Sequence, residues 1–111
     1  MALTITSTVA DGVAQIFLVG ELDAATAGEF KREIEAVAAH SPQQLVLRME
    51  ALTFMASAGL RVLIFAKQKM GVNVEICIVG AHDAVLETMT MTGIQHSITL
   101  LDTFEPAVAA D

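Results

Sequence analysis

Apolar and polar residues alternate through Leu3 and Ile5, and again from Val13 to Val19 beyond an Asp11-Gly12 turn. Side chains on a strand change face at every residue, so the pattern predicts a hairpin whose first strand lies at a sheet edge. From Ala24 the period becomes helical. Ala27, Phe30, Ile34, Val37 and Ala38 share one stripe, Glu29, Lys31, Arg32, Glu33 and Glu35 fill the remainder, and Asp23 stands in the N-cap place. Ser41-Pro42 ends that helix, and Gln44 to Met49 follows as a strand rich enough in Leu and Val to be central. A loop from Glu50 to Ser57 then leads into a helix from Ala58 to Met70, closed by Gly71, with apolar residues on nearly every side. Val72 to Val79 reads as a fourth strand, Asp83 to Thr92 as a third helix stopped by Gly93, and Ile98 to Leu101 as a short last strand. Thr103 to Ala109 reads as a fourth helix, with Pro106 tolerated in its first turn.

The order β-β-α-β-α-β-α-β-α predicts one α/β domain with a mixed, mostly parallel sheet and the antiparallel N-terminal hairpin at one side. In such sheets contacts gather at the carboxyl ends of parallel strands. Here those ends are the loops Gly20 to Ala25, Glu50 to Ser57 and Gly80 to Asp83.

Composition narrows the function classes. Six basic residues against 13 acidic ones give a formal charge of −7, which repels nucleic-acid phosphates and anionic lipid and favours a basic protein surface as partner. The longest apolar stretch, Leu45 to Ala66, is interrupted by Arg48, Glu50 and Arg61, whereas a spanning helix needs about 20 nearly uncharged residues. No membrane segment is expected. The start MALTITSTVADG lacks a basic region followed by an apolar run, so a cytoplasmic location is expected. Cys77 is the single cysteine and lies inside the apolar run Val74 to Val79, as an inert core thiol would.

The usual catalytic constellations are missing. His40, His82 and His96 have no metal-ligand spacing with one another or with Cys77, and the glycines occur singly, so no metal or cofactor is expected. Ser57 with His82 is the one serine and base pair on neighbouring loops. Ser57 is the position to explain, because it opens a helix, where unpaired amides and the helix dipole favour negative charge.

Gly20-Glu21-Leu22-Asp23 before the first helix, and Leu52-Thr53-Phe54-Met55 followed by Ser57, Gly59 and Leu60, resemble the STAS-domain family, and within it the bacterial anti-sigma-factor antagonists. The resemblance runs from Leu3 to Ala109 and makes the 111 residues a single STAS domain. It implies a regulator that binds an anti-sigma factor with serine-kinase activity, frees a sigma factor, and is switched off by phosphorylation of Ser57. Glu21, Asp23, Thr53, Met55, Ala56, Ser57, Ala58 and Gly59 are the expected partner contacts. Met55 is placed on an exposed loop, with Met89 and Met91 as further adaptable apolar surface. Gly59 is expected to admit a partner's backbone. The amides of Ala58, Gly59 and Leu60 are expected to help hold a phosphate.

The sequence departs from the family pattern at Ala56, where aspartate usually precedes the serine, and at Arg48 and Glu50. Ala56 keeps open a non-phosphorylated STAS scaffold or partner-sensing module. Two further alternatives are a small-ligand or nucleotide site in a cleft between the three loops, and a hydrolase using Ser57 and His82. The edge strand, with Thr4, Thr6 and Thr8 on one face, can pair with a copy of itself in a weak homodimer.

Overall fold

The structure, a computed structural model, describes residues 3–102. Strands β1 (Leu3–Ala10), β2 (Val13–Leu22), β3 (Gln44–Met55), β4 (Glu75–Val79) and β5 (Thr99–Leu101) form one five-stranded sheet in the order β1-β2-β3-β4-β5. β1 and β2 are antiparallel and every other pair is parallel. Helices α1 (Ala27–Ala38), α2 (Ser57–Met70) and α3 (Asp83–Thr90), with a 3₁₀ turn over Ile94–Ser97, complete the described chain. The expected fold class is therefore correct. The expected helix from Thr103 to Ala109 lies outside the described residues.

One core explains the layering. Ile16, Leu18 and Leu22 of β2, Leu45, Leu47 and Met49 of β3, and Ile76 and Ile78 of β4 pack with Phe30 and Ile34 of α1, Leu63 and Ala66 of α2, and Val85 and Met89 of α3. The reverse face of the sheet carries a smaller buried cluster of Val46, Cys77 and Val79. Cys77 is 1% exposed, and burial pushes its thiol above the ordinary range. A protonated, covered sulfur is a poor nucleophile. Ellman's reagent should therefore find essentially no thiol in the native protein and one per chain in denaturant.

Several boundaries differ from the sequence pattern. The regular part of α1 starts at Ala27, three residues after the expected Ala24, because a tight turn over residues 24–26 precedes it. The N-cap is therefore Thr26, without a side-chain cap bond, and not the expected Asp23. Asp23 instead closes the turn before the helix, where its Oδ1 accepts the amides of Ala25 at 3.0 Å and Thr26 at 3.1 Å, and its carbonyl accepts the Ala27 amide at 2.9 Å. β4 begins at Glu75 instead of Val72, and α3 ends at Thr90 instead of Thr92.

The largest difference is in β3, which continues six residues past Met49 to Met55. The regular alternation stops there because the strand is bulged twice against β2. Phe17 pairs with Arg48 but Val19 with Ala51, and Gly20 pairs with Leu52 but Glu21 with Phe54. Each shift inserts one extra residue in β3 and rotates the side chains that follow. Met49, Leu52 and Met55 consequently stay in the core at a spacing of three, and the stretch no longer reads as a strand in sequence.

Candidate functional site

β2 and β3 end side by side, with Leu22 opposite Met55, and α1 and α2 start from those two ends. The rim so formed is tied together by backbone. The Ala56 amide donates to the Leu22 carbonyl at 2.8 Å, and Thr53 Oγ1 donates to the Gly20 carbonyl at 3.0 Å, which stitches the bulged strand to its neighbour. On the other side the Asp23 amide donates to Thr26 Oγ1 at 2.9 Å, and that hydroxyl lies 3.1 Å from the Glu21 carbonyl. Asp23 and Thr53 thus build the rim, whatever else they touch.

Ser57 is the first residue of α2 and is exposed. Ala56 occupies the N-cap with extended φ/ψ of −86° and 171° and offers no side-chain acceptor. Both Gly59 and Leu60 direct their amides to the Ala56 carbonyl, at 2.9 and 3.3 Å. The expected anion cradle of Ala58, Gly59 and Leu60 is corrected accordingly: among the described residues, the amides left without an acceptor at this end are those of Ser57 and Ala58.

Ala56 also marks a missing cap. An aspartate at N-cap accepts a hydrogen bond from the second or third helical amide, worth about 1 kcal/mol over alanine. Ala56→Asp should raise the melting temperature by about 4 °C, measured by calorimetry.

Two expected contacts are corrected. Met55 is 1% exposed and fills the core, so it is no surface residue. Its neighbour Phe54, rotated outward by the second bulge and opposite Glu21, is 45% exposed and takes that place. Gly59 is buried, and a Cβ there would meet Leu22 Cγ and Cδ2 at 2.7 Å and Met55 Cγ at 3.1 Å. Its missing side chain lets α2 approach β2 within the chain, which replaces the expected approach of a partner. Met89 is likewise fully buried, whereas Met91 is 80% exposed.

The sequence pattern also misses a stripe. α2 is not covered all round: Ser57, Arg61, Ile64 and Gln68 are exposed, and their spacing of four, three and four places them on one face. Ile64, 40% exposed, borders a groove of about 370 Å³ that also involves Lys67 and Ile94. Too many apolar residues in this helix hid the outward face; the polar spacing of 57, 61 and 68 was the available signal.

The third expected loop is not at this rim. β4 ends at Val79, opposite Arg48, so the Gly80 to Asp83 segment lies beside the middle of β3. There His82 Nε2 donates to the Glu50 carbonyl at 2.7 Å, and at the far end of α3 Thr88 Oγ1 donates to the Met55 carbonyl at 3.0 Å. α3 takes over from β4 as neighbour of the overhanging strand. Glu50 and Met55 are five strand positions apart, roughly 16 Å, which removes His82 as a base for Ser57 and dissolves the three-loop cleft of the nucleotide reading. Gly80, at φ +72°, leaves room for the Glu50 side chain. Glu50 is in turn held by Arg48 at 2.7 Å, and that hydrogen bond keeps its carboxyl below the usual carboxylate range. The two departures from the family pattern on β3 are therefore partners of each other.

A profile of the STAS domain family matches residues 4–109. The chain belongs to the STAS family. Among curated relatives, this STAS domain is 32% identical over 107 residues to the anti-sigma-F factor antagonist RsfB of Mycobacterium tuberculosis, covering 95% of this chain and 88% of that one. The crystal structure of an anti-sigma factor antagonist from Mycobacterium paratuberculosis superposes with a TM-score of 0.86 at 30% identity, over 98% of this chain and 93% of the other. SpoIIAA in its unphosphorylated form shares the fold, with a TM-score of 0.72 at 20% identity over 98% and 96% of the two chains. No described helix of this STAS domain is long and apolar enough to cross a membrane.

Proposed function

We propose that this STAS domain is an anti-sigma-factor antagonist whose binding to a serine-kinase anti-sigma factor is switched off by phosphorylation of Ser57. The observation that carries the reading is an exposed Ser57 at the first turn of α2, heading an outward stripe and flanked by the exposed Phe54. Two relatives of at least 30% identity that cover most of the chain are antagonists by name, which supports the same role here.

The physical chemistry of the switch is local. A phosphate adds about −1.5 to −2 charges and three acceptor oxygens. Ser57 makes no side-chain hydrogen bond among the described residues, so the fold loses nothing when its hydroxyl is esterified. Placed under a partner, the same group has to be paired or rehydrated. A partner covering Ser57 reaches Glu21, Asp23 and Thr53 on the strand side and Ala58 and Arg61 along the helix. Phe54 and Ile64 supply its apolar contacts, and the overall charge of −7 favours a basic face on the partner.

Ala56 motivates a second reading, in which the module binds without ever being phosphorylated, because the acidic neighbour of the acceptor is absent. Incubation with the anti-sigma factor that it binds and ATP, followed by mass-spectrometric mapping, separates the two. Phosphate on Ser57 supports the switch. Phosphate elsewhere with Ser57 unmodified rejects it in favour of the unswitched module.

A further inference from the structure

Strand β1 is an unprotected edge. Among the described residues β2 is its sole strand neighbour, so one row of its amides and carbonyls faces outward over eight residues. Edge strands that stay unpaired usually carry a charge, a proline or a bulge, or are very short. β1 has none of these. Its sequence LTITSTVA is uncharged and free of proline, and it pairs with β2 without a register shift from Leu3↔Gly20 to Ala10↔Val13. The other edge, β5, is three residues long.

We infer that two copies of this chain pair through β1, antiparallel about a twofold axis at Thr6, to form one continuous sheet of both molecules. A second copy fits better than a foreign strand because β1 is complementary to itself. With the axis perpendicular to the sheet and centred on Thr6, Thr4 meets Thr8 of the second copy, Thr6 meets Thr6, and Thr8 meets Thr4. All three threonines are exposed on the face away from the helices. On the helix side Leu3 meets Val9, which covers a Val9 that is 38% exposed in the single chain. Threonine pairs and apolar pairs across strands are favourable. Glu33 of α1, which accepts from Ser7 Oγ, is a charge that lies against the strand on its helix side, but no residue of β1 itself is charged. That matters for a chain of formal charge −7, since self-association is tolerable where the contact strand itself is neutral. The twofold axis points the two Ser57 rims to opposite ends of the joined sheet, so each copy keeps its rim open.

Sedimentation equilibrium across a wide concentration range tests the pairing, with Thr6 as the diagnostic position. Wild-type protein should show a reversible monomer–dimer equilibrium. Thr6→Lys brings two like charges together on the axis and should lower the association constant about tenfold, with the circular dichroism spectrum unchanged. Thr6→Glu should behave in the same way. Mixing the two variants should restore a dimer, because each axis then carries one lysine and one glutamate. A wild-type chain that stays monomeric, a Thr6→Lys chain that dimerises as before, or a mixture that fails to associate would each overturn the inference. None of these outcomes depends on whether Ser57 is phosphorylated.

Discussion

Ser57→Asp should weaken binding to the anti-sigma factor more than a hundredfold while leaving the melting temperature within a degree or two, whereas Ser57→Ala should bind like wild type. The expected size follows from desolvation. A carboxylate forced under a partner without a matching cation costs several kcal/mol, and about 3 kcal/mol already exceeds a hundredfold. Stability is spared because the side chain is exposed and an acidic group suits the first turn of a helix, where the Ser57 and Ala58 amides lack acceptors. Alanine keeps the shape and adds no charge. Titration calorimetry with the partner, together with a thermal scan of each variant, reads both quantities. Equal affinity of the Asp and Ala variants would reject the switch and favour the unswitched module.

Gly59→Val should lower stability by about 3 kcal/mol, a drop of roughly 12 °C in melting temperature. The first added carbon would lie 2.7 Å from two carbons of Leu22, whereas carbons in contact prefer about 3.5–4.0 Å. Leu22 is fully buried, so it has no solvent to retreat into. α2 would have to lift from β2, and the Ala56 amide to Leu22 carbonyl bond would stretch with it. Leu22→Ala empties the space that the valine needs. Combined with Gly59→Val, its loss should be smaller than the sum of the two single losses by more than 1 kcal/mol, measured by urea denaturation. A strictly additive pair would show that the contact between Gly59 and Leu22 is not what demands a glycine. The partner affinity of Gly59→Val should fall as well, since the same shift displaces Ser57.

These two residues stand two positions apart in one motif, yet they do different things, and sequence reading separated them only in part. The family motif names both positions. That Ser57 lies at the surface and Gly59 in the core depends on which way α2 is turned over the sheet, and the apolar residues at 60, 62, 63, 64 and 66 left that rotation undetermined. Phe54 and Met55 were exchanged for a related reason. Period-two reading carries one residue inward and the next outward for as long as strands pair one to one, and each bulge in β3 breaks that rule. A bulge is a property of the pair, visible in neither strand alone.

Local rules settled what depends on near neighbours along the chain. The hairpin at Asp11-Gly12, the Gly71 stop, the order of the described strands and helices and the burial of Cys77 were all legible, because turn geometry, capping and hydrophobic period act within a few residues. Contacts between distant segments decided the rest: how far β3 runs past β4, how α3 takes over beside it through His82 and Thr88, and how the Gly80 loop is thereby carried away from Ser57. Such placements turn on the relative lengths of strands that meet only after folding. The sequence could name Ser57, but only the packed chain could say which side chains share its rim.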